Sequence, residues 1–238
     1  MTAIIDSDLK KAISKKKLGS IALVDTLSVF LWLITMILST LTDPEAVTFL
    51  QAVEQSKNLS FLYLLTHINA VIFTLLTTLL FAGLFLYYKA QYPALALMGL
   101  VFVPVYCLMN LFSYGSQVFI LPYLTPLLEE PGLQPAVQVL VGQMTRKWQT
   151  SIVMVINLGA YALLSIPSFI YGYMLVKDEL RYLQLTGWLI VMNGISCLGG
   201  FIIGILIVNS IELVGISSIL GGVLFTLSLI PLCKLYFE

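Results

Sequence analysis

The chain has 238 residues, 59% of them hydrophobic and only 10% charged, where a soluble domain carries about 25% charged residues. A chain that apolar has no surface fit for water, which excludes a soluble globular protein. Formal net charge is zero, so no nucleic-acid partner is indicated, and the apolar runs are continuous rather than alternating, which argues against a β-barrel. The expected class is all-α: a polytopic integral membrane protein whose main partner is the lipid bilayer.

Residues 1–17 form the one strongly charged segment. Lys10, Lys11, Lys15, Lys16 and Lys17 outweigh Asp6 and Asp8. Ile5, Leu9 and Ile13 recur one helical turn apart, the pattern of an amphipathic helix on the membrane surface. A solvated basic tail is the other reading. Residues 18–238 read as a single transmembrane domain with six spans, near 18–41, 60–88, 94–121, 148–176, 183–208 and 211–236. With six spans, one side holds Lys10, Lys11, Lys15, Lys16, Lys17, Lys89, Lys177, Arg181 and Lys234. The other holds only Lys57, Arg146 and Lys147. The positive-inside rule then places both termini in the cytoplasm.

In the first span Asp25, Ser28, Trp32, Thr35 and Ser39 share one helical face. The loop after it, residues 42–59, is mildly acidic through Asp43, Glu45 and Glu54. In the second span Tyr63, His67, Thr74 and Thr77 align. The third lies within Ala90–Leu128, which contains no charged residue. As one helix that stretch would be about 58 Å long, twice the hydrocarbon thickness. Pro93 is therefore the expected start, and Pro122 and Pro126 the expected end. Within it Tyr106, Asn110, Ser113, Tyr114 and Gln117 fall on one face. Lipid cannot satisfy such a stripe, so it should turn toward protein or water.

The following loop contains PAVQVLVGQM, which suggests a short interfacial helix. In the fourth span Asn157, Tyr161, Ser165 and Ser168 align. The fifth and sixth are joined by a short turn at Asn209–Ser210, so they should form a tight hairpin. Ser196, Gly200 and Gly204 on one arm face the spacing Ser217/Gly221 and Ser218/Gly222 on the other. Small residues let backbones approach closely. The same faces leave a homo-oligomer open. Cys107, Cys197 and Cys233 lie far apart in apolar spans and read as small buried residues.

Gly172-Tyr173-Met174-Leu175-Val176-Lys177, followed by Tyr182-Leu183 and Gly187-Trp188-Leu189, resembles a turn in an uncharacterised bacterial family. Its members are small six- or seven-helix membrane proteins with a domain of unknown function. The resemblance implies a protein of the bacterial cytoplasmic membrane and brings no activity with it.

The candidate ligand-binding residues are Asp25, His67, Asn110, Tyr114, Gln117 and Asn157. Asp25 would be a proton or cation partner, because an ionisable group inside a span costs roughly 3 kcal/mol or more unless it has a purpose. The others would donate and accept hydrogen bonds in a shared polar cavity. Each has a bland alternative: the asparagines as interhelical glue at roughly 1 kcal/mol each, and the lone imidazole as a helix–helix contact. One histidine excludes multi-His metal sites. Phosphate-binding glycine loops and the G-x-S-x-G elbow are absent, so no catalytic residue, metal or cofactor is assigned. The favoured function is binding, transport or sensing of a small polar or amphiphilic molecule. A non-catalytic membrane subunit or scaffold is one alternative, and an intramembrane lipid-modifying enzyme the other.

Overall fold

A computed structural model describes residues 2–42 and 46–237, with side chains from Lys15 onward. Among the described residues every regular element is helical. Six stretches are long and apolar enough to cross a membrane: Lys15–Thr42, Phe61–Tyr88, Pro93–Glu129, Ile152–Val176, Arg181–Val208 and Ile211–Phe237. The chain is a polytopic all-α membrane protein.

The first span belongs to helix α1, Thr2–Thr42, which runs on without a break from the basic segment. The proposed amphipathic face there, Ile5, Leu9 and Ile13 with Lys10 and Lys11, lies outside the described side chains, and Asp43 and Glu45 lie outside the described residues. The expected inward stripe of α1 is observed: Asp25, Ser28, Thr35 and Ser39 are buried, while Leu27, Leu31, Ile34, Leu38 and Leu41 are exposed. Those exposed leucines and isoleucines are the surface a bilayer covers.

Loop helix α2, Phe49–Lys57, starts at Thr48, whose hydroxyl accepts the Gln51 N–H. Its position was not readable from the acidic character of that loop. Helix α3, Phe61–Tyr88, is the second span. Helix α4, Pro93–Gly115, starts at its proline as expected, where a missing N–H costs nothing.

The expected end at Pro122 and Pro126 is a correction. The helical run continues through a π turn at Ser116–Ile120, α5 at Leu121–Leu124 and a 3₁₀ turn at Thr125–Glu129. Each proline stands in the first turn of a new short element, where its missing N–H breaks no bond. The π turn has a local cause: the Ser116 hydroxyl donates to the Ser113 carbonyl at 2.9 Å, competing with the backbone donor of a regular helix.

Helix α6, Gln134–Met144, covers the PAVQVLVGQM stretch that the sequence marks as a short helix. Helix α7, Ile152–Val176, begins four residues later than the expected 148. Ser151 sets that start by accepting the Met154 N–H, and Gln143 Oε1 accepts the Ile152 N–H. Helix α8, Arg181–Phe201, passes into a π turn at Ile202–Val208. After the turn come α9, Ile211–Leu232, and α10, Lys234–Phe237. Asn209 closes the π turn in the left-handed region at φ 53°, a conformation that asparagine tolerates better than branched residues.

The chain divides into two compact units. One comprises Met1–Leu27, Leu75–Tyr106 and Tyr161–Glu238. It holds the α8–α9 hairpin, whose close approach follows from its glycines. A Cβ on Gly200 would stand 2.0 Å from Ser217 Cβ, and one on Gly221 would stand 2.3 Å from Cys197 Sγ. Asn193 crosses the same contact, accepting from Ser168 at 3.1 Å and donating to the Gly221 carbonyl at 2.9 Å. Only the Ser217/Gly221 rail is used this way, since a Cβ on Gly222 would meet nothing within 4 Å.

The other unit comprises Ser28–Thr74 and Cys107–Ala160. It contains one end of each of the first four spans and both long loops. Val53 of α2, Val137 and Val141 of α6, Leu121 and Leu128 form its small apolar core. The Phe49 ring lies where a Cβ on Gly142 would stand, and Ser56 and Thr145 share a hydrogen bond at 3.0 Å. The two loop helices therefore brace the segment that follows α6.

Candidate functional site: a cationic pocket at the loop end of four spans

That segment, residues 145–151, carries two adjacent cations, Arg146 and Lys147. Its backbone is fixed by Gln117 on the π turn. Gln117 Nε2 donates to the Met144 carbonyl at 2.7 Å, and Gln117 Oε1 accepts the Arg146 N–H at 3.0 Å. A carbonyl only accepts and a backbone N–H only donates, so these two bonds fix which way the amide points. The Tyr63 hydroxyl adds a third bond, donating to Gln117 Oε1 at 2.7 Å. Gln117 has no exposed surface. Its role in this geometry is to hold the loop against the third span.

Arg146 then turns inward. Its guanidinium donates to Ser113 Oγ at 3.1 Å and lies 4.7 Å over the Tyr114 ring. Ser113 in turn donates to the Val153 carbonyl at 3.1 Å. Lys147 is buried, with its ammonium 5.0 Å over the Tyr63 ring. Cations over ring faces gain roughly 0.5–2 kcal/mol, more as water is removed.

These side chains line a pocket of about 160 Å³. From α1 come Trp32, Met36, Ser39 and Thr40. From α3 come Tyr63, Thr66 and His67; Tyr114 and Met154 complete the wall with the two cations. His67 donates from Nδ1 to the Tyr63 carbonyl at 2.7 Å. In the neutral ring that bond leaves Nε2 as the acceptor. Among the described residues nothing bonds Nε2. Phe73 packs against two of the lining rings, edge-on to Trp32 at 5.4 Å and 6.0 Å from Tyr114.

A second, larger hollow of about 280 Å³ is lined by Val71, Leu111, Phe112, Gly115, Ser116, Phe119 and Ile120. Among the described residues no titratable group lines it, and Phe119 is 75% exposed. Lipid chains suit it better than a polar ligand.

The residues singled out from sequence fall into three places. His67 and Tyr114 line the pocket. Gln117 positions its cationic loop. Asn110 and Asn157 are buried and bonded to each other, Asn157 Nδ2 donating to Asn110 Oδ1 at 2.6 Å, one turn along α4 from Tyr114. The Asn110 Nδ2 has no partner there. Asp25 belongs to the other unit, where Thr77 donates to its Oδ2 at 3.2 Å and its Oδ1 is buried without a partner. Trp32, Ser39 and Tyr63 were on the predicted stripes but not among the site residues. In the sequence Arg146 and Lys147 read only as loop charges. Their signal in the sequence is weak: a basic pair directly before an apolar span, on the side poor in basic residues.

Among the described residues no group of three or more His, Cys, Asp or Glu could hold a metal ion. No family model matches this chain, and no curated protein or solved structure does either.

Proposed function

We propose that this membrane protein binds a small polar or amphiphilic molecule in the pocket walled by His67, Tyr114 and Arg146, and transports or senses it. One observation carries the reading. Polar groups from three spans and a loop converge on a single hollow that their own bonds leave unfilled. At about 30 Å³ per molecule the space holds roughly five waters, so a ligand is small or inserts only its head. The lysine and arginine distribution supports a cytoplasmic location for the termini, which opens the pocket on the outer side. The resemblance of the Gly172–Leu189 turn supports the bacterial cytoplasmic membrane as the location. Asp25 is the group we assign to a proton or cation partner, on account of its burial and its unpartnered Oδ1.

A second reading, a non-catalytic subunit, is favoured by Gln117 and the Asn110–Asn157 pair, which spend their polarity on holding helices together. Mass spectrometry of the full chain in native-lipid nanodiscs separates the two. Binding predicts a small molecule retained near one per chain and lost in His67→Trp, which fills the pocket. A scaffold predicts the same bound molecules in both, with the melting temperature showing that His67→Trp is folded.

A further inference from the structure

Resting on that reading, we infer that the pocket takes a phosphate group, as the monoester head of a lipid or as a free phosphate. The argument starts from Arg146. Among the described residues only one of its five N–H donors has a protein acceptor, Ser113 Oγ. No carboxylate among the described residues pairs with it. A guanidinium walled by rings and methionines is short of negative charge, and its planar fork matches the spacing of phosphate oxygens.

A cationic ligand is disfavoured by the same geometry. Two ring faces that could receive it are already covered, Tyr114 by Arg146 and Tyr63 by Lys147. Among the described residues no lining residue is acidic.

His67 separates phosphate from carboxylate. Its ring stands 6.2 Å from the Tyr114 ring that Arg146 covers, so both groups flank one surface. With Nδ1 committed to the Tyr63 carbonyl, Nε2 needs a donor. A carboxylate has none. A phosphate monoester, whose second ionisation lies near pH 6, offers both oxygens for Arg146 and, as its monoanion, a P–OH for His67. Ser39 Oγ lines the pocket with no partner among the described residues and is free to donate or accept. The pocket volume suits the head alone, and Trp32, Met36 and Met154 would meet the first carbons of a tail.

The test uses the full chain in nanodiscs of zwitterionic lipid, titrated with dodecyl phosphate, dodecyltrimethylammonium, dodecyl maltoside and inorganic phosphate. Dodecyl phosphate should bind saturably and about tenfold or more tighter than either dodecyl competitor, from charge-assisted bonds the others cannot make. Arg146→Gln should erase that preference, and Arg146→Lys should restore part of it. Inorganic phosphate binding as tightly as dodecyl phosphate would identify a free anion. Much weaker binding would identify a lipid head. Equal binding of the anionic and neutral detergents to the wild-type chain overturns the phosphate inference and leaves the pocket reading standing. Absence of saturable binding for all four, unchanged in His67→Trp, overturns both. The wild-type comparison decides the matter even where an Arg146 variant does not fold.

Discussion

Gln117 holds Arg146 by the backbone: its side-chain amide spans Met144 and Arg146 as a neighbouring peptide would, at 2.7 and 3.0 Å. The π turn puts Gln117 where it can do this, and the turn depends on Ser113 and Ser116. A local backbone irregularity in one span thus places a cation contributed by a loop.

Gln117→Leu should damage both folding and binding. It strands the Met144 carbonyl and the Arg146 N–H in a half-buried place and removes the bond from the Tyr63 hydroxyl. Each stranded group costs about 1–3 kcal/mol. Unfolding in mixed micelles should register the loss. Gln117→Glu should also fail, because a carboxylate cannot donate to the Met144 carbonyl. A Gln117→Leu chain as stable as wild type would show that the amide bridge contributes nothing.

The Asn110–Asn157 pair should behave as a coupled unit. Asn157→Leu removes the donor to Asn110 Oδ1 and leaves both ends of Asn110 unsatisfied. Replacing both with leucine should cost less than the two single changes summed, with a coupling of about 1 kcal/mol. A double-mutant cycle on unfolding free energies measures it. Strict additivity would deny the bond any energetic role.

Gly200 and Gly222 offer a matched comparison on the α8–α9 hairpin. Gly200→Ala drives a methyl into Ser217 and should destabilise by about 1–3 kcal/mol. Gly222→Ala meets open space and should change stability by less than about 0.5 kcal/mol. Melting temperatures of the two variants in one detergent check both at once.

Asn209 predicts a difference in backbone tolerance. At φ 53°, Asn209→Gly should be neutral or better. Asn209→Val should cost about 1–2 kcal/mol through Cβ crowding. The same melting assay reads this, and equal stability of the two variants would contradict the strained turn.

Much of the fold was legible in the sequence because the bilayer imposes a simple rule. Apolar runs of helical length must span, and polar residues one turn apart must face inward. All five residues from Tyr106 to Gln117 that share the stripe are buried, as are Asp25, Ser28, Thr35 and Ser39 on α1. Partners were less legible. Periodicity assigns a face to Asn110 but cannot say that Asn157, on another helix, is the residue it meets. Arg146 and Lys147 escaped because a loop has no period to reveal a direction. Gln117 was expected at the ligand, since a polar stripe does not distinguish a pocket wall from the bracket behind it. The continuation past Pro122 was hidden because proline ends a helix only when its missing N–H would have been needed.

The most direct measurement is ligand protection at Ser39, on the pocket wall. Ser39→Cys in the full chain, held in nanodiscs, is exposed to a water-soluble maleimide with and without the ligand found by mass spectrometry, or with dodecyl phosphate in its place. A filled pocket should slow labelling at position 39 several-fold, and His67→Trp should slow it with no ligand present. Labelling at the same rate in all of these conditions would mean that nothing occupies the hollow beside Arg146 and His67.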